Sequence, residues 1–376
     1  MSTFCSYYNS ATCRSCSLIE LDYSAQILHK EKILQSALSH PLEISFVSRP
    51  LGFRNKIKLT VTGSKELPIL GLWGEKDLDS GREILNCPLH HPDLNKLVNS
   101  LPDYIKLCLI EPYQISNRKG ELKGLIAFIS NDTQEMYLRF VLRSKESLDR
   151  IKKNLKTLQD NFPQLVCVSA NIQPIPHAIL EGEEEVFLTE KKFIEHQLDY
   201  IKFQIGPRAF VQTNQIVASA LYLTACNWVK DLKVDRFCEL FCGQGAFSFF
   251  SAPYVKAALG IEINSEAVAN AQSTASRESL NHLQFKCSDA ALVEKEVLEF
   301  GPDLILVNPP RRGLTQSLEI LKKARAPYII YSSCSYQSLA SDIKVLSSTY
   351  SIQKVQLFDM FPHTEHFEVL TLLKLN

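Results

Sequence analysis

Apolar positions follow two regimes along the chain. From Ile44 to Gly71 they alternate in short runs such as Ile57-Lys-Leu-Thr-Val-Thr-Gly, broken by Gly and Pro, which predicts strands joined by turns. Strands are expected at 124–129, 136–142, 165–172 and 185–188, with a helix from about 92 to 109. Ahead of them Ile27, Leu28, Ile33, Leu34 and Leu38 recur at helical spacing, and His40-Pro41 stops that helix. After Tyr200 strands and helices alternate: a helix at 214–230, a strand at 236–240, a helix from about 246, a strand at 257–263 and a helix from 265 to about 279. The runs 304–307 and 328–331 have the length and β-branched content of buried parallel strands. Two closing runs, 354–358 and 369–373, are spaced to pair antiparallel. The expectation is an α/β fold, a doubly wound Rossmann-like sheet of about 170 residues behind an α+β region, with boundaries at 1–90, 91–200 and 201–376.

Composition narrows this only slightly. The 376 residues are 45% hydrophobic and 22% charged, which excludes disorder. Lys+Arg and Asp+Glu are both 41, so a nucleic-acid partner must be held by a local basic face. The run 139–156 offers one: Arg139, Arg143, Lys145, Arg150, Lys152, Lys153 and Lys156 stand against Glu146 and Asp149, although a solvated helix face explains it equally well. No stretch approaches the roughly 18 apolar residues of a membrane span, and the first residues lack the basic start and apolar core of a secretory signal. A cytoplasmic protein with no membrane partner is expected. The eleven cysteines then read as thiols, metal ligands or catalytic groups before disulfides.

Chemistry concentrates at predicted strand ends, where ligands of open α/β sheets bind. Glu239-Leu-Phe-Cys-Gly-Gln-Gly sits on a strand-to-helix turn whose glycines admit a ligand to the helix N-terminus. Ser248 replaces the third glycine of the dinucleotide fingerprint, and Glu262 closes the next strand where a carboxylate reaches ribose hydroxyls. With Asn308-Pro-Pro on a later strand, a nucleoside-like ligand without pyrophosphate, S-adenosylmethionine, is favoured. Cys334 follows a strand in Ser-Ser-Cys-Ser, where Arg311 could lower its pKa and populate the thiolate. His363, Glu365, His366 and Glu368 form a polar island between the last two strands, a source of acid-base partners. Cys5, Cys13, Cys16 and Cys87 are the cysteines of the first hundred residues. Their thiolates suit zinc or an iron-sulfur cluster, the spacing of three close and one distant leaning toward iron-sulfur.

Taken together, Arg208-Ala-Phe-Val-Gln-Thr-Asn, Leu240-Phe-Cys-Gly, Gly260-Ile-Glu, Asn308-Pro-Pro-Arg-Arg-Gly, Tyr331-Ser-Ser-Cys and His366-Phe-Glu resemble the RNA uracil-5 methyltransferase family. Phe53-Arg-Asn-Lys and the four early cysteines extend the likeness to its bacterial branch that methylates 23S ribosomal RNA. The resemblance implies a class I S-adenosylmethionine-dependent methyltransferase domain at 201–376, a central RNA-facing α+β domain at 91–200 and an iron-sulfur region at 1–90. It implies Cys334 as nucleophile and Glu368 as base. It further implies Gln212, Phe241, Glu262 and Asn308 as S-adenosylmethionine contacts, and a 4Fe-4S cluster on Cys5, Cys13, Cys16 and Cys87. Asn308 departs from the Asp that many relatives carry. The implied substrate is a hairpin-loop uridine of 23S ribosomal RNA, flipped out of its stack, acted on by a monomer. A transfer-RNA uracil-5 methyltransferase, an amino-group methyltransferase and a non-catalytic iron-sulfur RNA-binding protein are the alternatives.

Overall fold

The computed structural model describes residues 3–74, 77, 79–175 and 181–376. They form two compact units. The first takes in the arm ending at Cys16, Arg49–Gln197 and Lys202–Thr213; the second takes in Ser17–Ser48, Leu198–Ile201 and Asn214–Asn376.

In the first unit β1 (Lys56–Gly63), β2 (Pro68–Trp73), β3 (Gly81–Glu83), β4 (Leu122–Ile129), β5 (Met136–Leu142), β6 (Leu165–Ile172) and β7 (Glu184–Phe187) form one sheet in the order β3-β2-β1-β4-β5-β6-β7. All pairings are antiparallel except β5 with β6. The helix Leu148–Asn161 makes that crossover, which a parallel pair requires. It and the helix Pro92–Leu107 place Leu94, Leu97, Val98, Leu101, Ile105, Ile151, Leu155 and Leu158 against Ile57, Leu59, Leu125, Leu138 and Phe140. This 3.6-residue periodicity meeting a two-residue one is the pattern the sequence carries. A short ladder of β8 (Ile194–Leu198) and β9 (Ile201–Ile205) follows.

The run 139–156 spans the end of β5 and the helix after it. It is not one basic helix face: Arg139 lies on β5, fully buried, paired with Glu185 at 2.5 Å and Glu181 at 3.1 Å. Arg143 pairs with Glu121, Lys145 with Glu184 and Arg150 with Glu146. Lys152, Lys153 and Lys156 are exposed. Arg139 lies on the face of β5 opposite Leu138 and Phe140, and that face is buried as well, so its charge demands carboxylates and cannot serve RNA.

In the second unit β10 (Arg236–Leu240), β11 (Ala257–Glu262), β12 (Leu283–Cys287), β13 (Leu304–Val307), β14 (Tyr328–Ser333), β15 (Tyr350–Phe358) and β16 (Glu368–Leu375) stand in the order β12-β11-β10-β13-β14-β16-β15. β10 to β14 are mutually parallel, and β16 runs antiparallel to both its neighbours. The order reverses between β10 and β13, the switch point where such sheets bind ligands. The helix Tyr23–Leu38, between two segments of the first unit in sequence, belongs to this unit and buries Leu34 and Leu38 in its core. Among the described residues no helix is long and apolar enough to cross a membrane.

Candidate active site

Parallel strands deliver their carboxyl ends to one edge of the sheet, so Phe241, Glu262, Asn308 and Cys334 follow β10, β11, β13 and β14 along it. Because β16 is antiparallel, its first residue arrives at that same edge. Ser333 pairs with Val369, which sets Glu368 beside Cys334 although 34 positions separate them in the chain.

The turn after β10 is built for close approach. Phe241 takes φ +62°, a left-handed conformation that costs a non-glycine residue on the order of 1 kcal/mol or more. Gly245 takes φ +80°, and a Cβ there would lie 2.5 Å from the Phe285 ring. Glu262 accepts hydrogen bonds from the backbone N–H of Gly243 and of Asn264, both at 2.9 Å, which aims its carboxylate at the glycine turn. Fully buried Glu239 accepts from the Ser248 N–H at 2.9 Å and from the Ser248 hydroxyl. Burial pushes its carboxyl up to about 8. Gln212 falls in the first unit and is half-buried there.

The thiol is tuned differently from the expectation. Burial raises the Cys334 thiol above its ordinary value, the Glu368 carboxylate raises it further, and only then does Arg311 pull it down through its charge and a hydrogen bond. Arg311 restrains a thiol that its surroundings keep protonated. A further pull comes from position: Cys334 immediately precedes Ser335, whose hydroxyl caps the helix Tyr336–Leu346, and a helix N-terminus favours an anion.

Two supports were invisible in the sequence. Asp342 accepts from the Tyr331 hydroxyl at 2.7 Å and the Leu314 N–H at 2.9 Å, joining the strand before Cys334 to the loop after Asn308 that carries Arg311. Tyr336 and Phe367 stack with centroids 5.8 Å apart, pinning the neighbours of Cys334 and Glu368. An aspartate in mid-helix gives no local sign of such a duty.

The tRNA (uracil-5-)-methyltransferase family model matches residues 125–376, more than half of the chain. The chain belongs to this uracil-5 methyltransferase family. It is 42% identical over 381 residues to the 23S rRNA (uracil(747)-C(5))-methyltransferase RlmC of Proteus mirabilis (strain HI4320), covering 99% of each. With the RlmC of Actinobacillus pleuropneumoniae serotype 5b (strain L20) it shares 41% identity over 384 residues, 98% of each. Among solved structures, the Pyrococcus abyssi tRNA (uracil-54, C5)-methyltransferase in complex with S-adenosyl-L-homocysteine superposes with a TM-score of 0.82. That match is at 24% identity over 96% of this chain and 85% of that one, and establishes the shared methyltransferase fold.

In this family member the four early cysteines are all in the first unit. The arm is ordered by Tyr7, whose hydroxyl accepts from the backbone N–H of Leu85 at 3.1 Å and Asn86 at 3.0 Å, next to Cys87. Cys16 is pushed up to about 12 by burial first, then by the charges of Cys87, Cys13 and Cys5, and Cys87 is raised by burial and by Cys5. The four thiols therefore share one neighbourhood. Among the described residues, however, no group of three or more His, Cys, Asp or Glu is drawn together closely enough to hold a metal ion. Electrostatic proximity reaches further than a coordination bond, so neighbourhood without convergence is consistent with both observations.

Proposed function

We propose that this chain methylates carbon 5 of a uridine in 23S ribosomal RNA, with S-adenosylmethionine as co-substrate. The observation that carries the reading is the strand register that brings a thiol and a carboxylate from distant segments to one edge of the sheet. Similarity over 98–99% of the RlmC proteins favours ribosomal over transfer RNA.

Carbon 5 of uracil is too weak a nucleophile to take a methyl group unaided. Cys334, as thiolate, adds to carbon 6, and the electron pair displaced from the 5,6 double bond makes an enolate nucleophilic at carbon 5. S-adenosylmethionine supplies an electrophilic methyl group and leaves as its thioether. Glu368 then removes the carbon 5 proton, the double bond re-forms, the carbon 6–sulfur bond breaks and Cys334 departs as thiolate. Phe241, Glu262 and Asn308 would hold the co-substrate, Glu262 through its ribose hydroxyls. The uridine enters flipped out of its stack, since both ring faces must be reached. An amino-group methyltransferase has no need of a thiol facing a carboxylate.

The reading includes a 4Fe-4S cluster held by Cys5, Cys13, Cys16 and Cys87 in a region that orders the RNA-binding surface. The Cys16 thiol, raised by burial and by its neighbours Cys87, Cys13 and Cys5, belongs to a donor set that a cation would relieve. The test is methyl transfer from labelled S-adenosylmethionine to 23S RNA from cells lacking this gene, followed by mass mapping of 5-methyluridine. Cys334→Ala is expected to abolish the product; undiminished product rules the mechanism out.

A further inference from the structure

Lys30 is an ammonium with no exposed surface, and it is assigned no role above. All three of its donors are used. Nζ donates to Asp359 Oδ1 at 2.5 Å, to the Phe361 carbonyl at 3.2 Å and to the His366 carbonyl at 3.2 Å. Asp359 is equally buried, and its other oxygen accepts from the Tyr23 hydroxyl at 2.7 Å. Four residues before Lys30 on the same helix, buried Gln26 accepts from the His363 N–H at 2.9 Å and its amide meets His363 Nδ1 at 3.1 Å. The Leu18 N–H donates to the His363 carbonyl at 2.9 Å.

Every one of these bonds lands on the segment 359–366, which joins β15 to β16 and ends two residues before Glu368. A loop of this kind has no ladder of its own to fix it. His363 takes φ +67°, a conformation maintained only where the surroundings over-determine it. Replacing a buried ion pair by apolar groups often costs no stability, so stability alone does not explain a fully buried ammonium here. A point charge with three donors does fix three acceptors in one geometry, which no apolar side chain does.

We infer that Lys30, backed by Asp359 and Tyr23, is a positioning residue for Glu368: it fixes the entry of β16 so that the carboxylate meets the carbon 5 proton. The inference rests on the proposed role of Glu368. It concerns the second half of the reaction, after Cys334 has bonded to carbon 6. Loss of Lys30 leaves Cys334, just beyond β14, free to add to the base and the methyl group free to transfer, while proton removal slows. A displacement of about 1 Å at a reacting group costs on the order of a hundredfold. The covalent enzyme–RNA intermediate then accumulates.

The experiment is single-turnover reaction of the full-length protein with 23S RNA and labelled S-adenosylmethionine, read on denaturing gels for methyl-labelled protein–RNA adduct and for free methylated RNA. Lys30→Met is expected to form adduct at near wild-type rate and release product at least tenfold more slowly, on the order allowed above. Lys30→Arg, which keeps the charge, is expected to recover part of the release rate. Should Lys30→Met not fold, Tyr23→Phe, which removes one hydroxyl, carries the test and is expected to show a smaller accumulation of adduct. Equal slowing of adduct formation and release, or unchanged release, overturns the inference. Glu368→Gln is run alongside. If it releases product normally, the role of Glu368 itself fails; if it traps adduct while the Lys30 and Tyr23 variants do not, only the positioning inference fails.

Discussion

Replacing Arg311 by Met removes a positive charge that holds the Cys334 thiol down. At pH 7 a thiol at its ordinary 9.0 is about 1% ionised, and Cys334, raised above that value, is less ionised still. Arg311 is exposed, so solvent screening weakens its pull, but its loss still raises the thiol further. Each unit by which a thiol pKa rises lowers the thiolate fraction at neutral pH tenfold. Per unit, the less acidic thiolate is in turn about threefold more nucleophilic, for a Brønsted slope near 0.45. For each unit the two effects leave adduct formation about three- to fourfold slower below the thiol pKa and about threefold faster once both enzymes are ionised. The assay is formation of the protein–RNA adduct on denaturing gels, in single turnover, as a function of pH. The wild-type rate is expected to climb with pH past 9.0, the sign required of a raised thiol that reacts as its anion. The two profiles should cross. A uniform slowing at every pH would mean that Arg311 acts on substrate binding and not on the thiol.

Three further outcomes are expected. Wild-type protein purified anaerobically should be coloured and carry iron and sulfide, and Cys16→Ser or Cys87→Ser should lose both; colourless protein bearing zinc by elemental analysis rejects the cluster. Glu239, raised to about 8 from its ordinary 4.5, stays protonated in the folded state while the unfolded chain ionises. Its contribution to stability is therefore full below 4.5 and is lost as pH rises toward 8, at about 1.4 kcal/mol per unit as an upper bound. Thermal melts should fall across that window and be flatter in Glu239→Gln; parallel curves refute the assignment. Gly313→Ala places a Cβ 2.7 Å from Asp342 Oδ2 at φ +81°, so denaturant titration should show a loss of about 2 kcal/mol, and a change below about 0.5 kcal/mol would mean the loop is not held by Asp342.

The elements were largely legible. The helix expected at 92–109 is Pro92–Leu107, the strand at 165–172 is Leu165–Ile172, and the final antiparallel pair is β15 with β16. Periodicity reports which face of a helix meets the core, and burial in Pro92–Leu107 and Leu148–Asn161 obeyed it, whereas β4 and β5 are buried on both faces. The run 139–156 misled because charge was counted along the chain, whereas Arg139 faces inward from a strand and Arg150 pairs along its own helix turn. The Cys334 thiol misled for a related reason: a nearby arginine was visible in the motif, but the burial and the carboxylate that outweigh it were not.

What the sequence determined by itself is whatever depends on neighbours a few residues away: the strands and helices, the glycine turn after β10 and the residues standing at strand ends. What only the tertiary structure decided is who meets whom across the chain. Lys30 and Asp359 are 329 positions apart, and Glu368 reaches Cys334 only because β16 inserts antiparallel between β14 and β15. Local patterning sets the direction in which a side chain points. Pairing register and the desolvation of charges depend on every layer of the fold at once, and these govern the thiol, the carboxylate and the buried ammonium behind them.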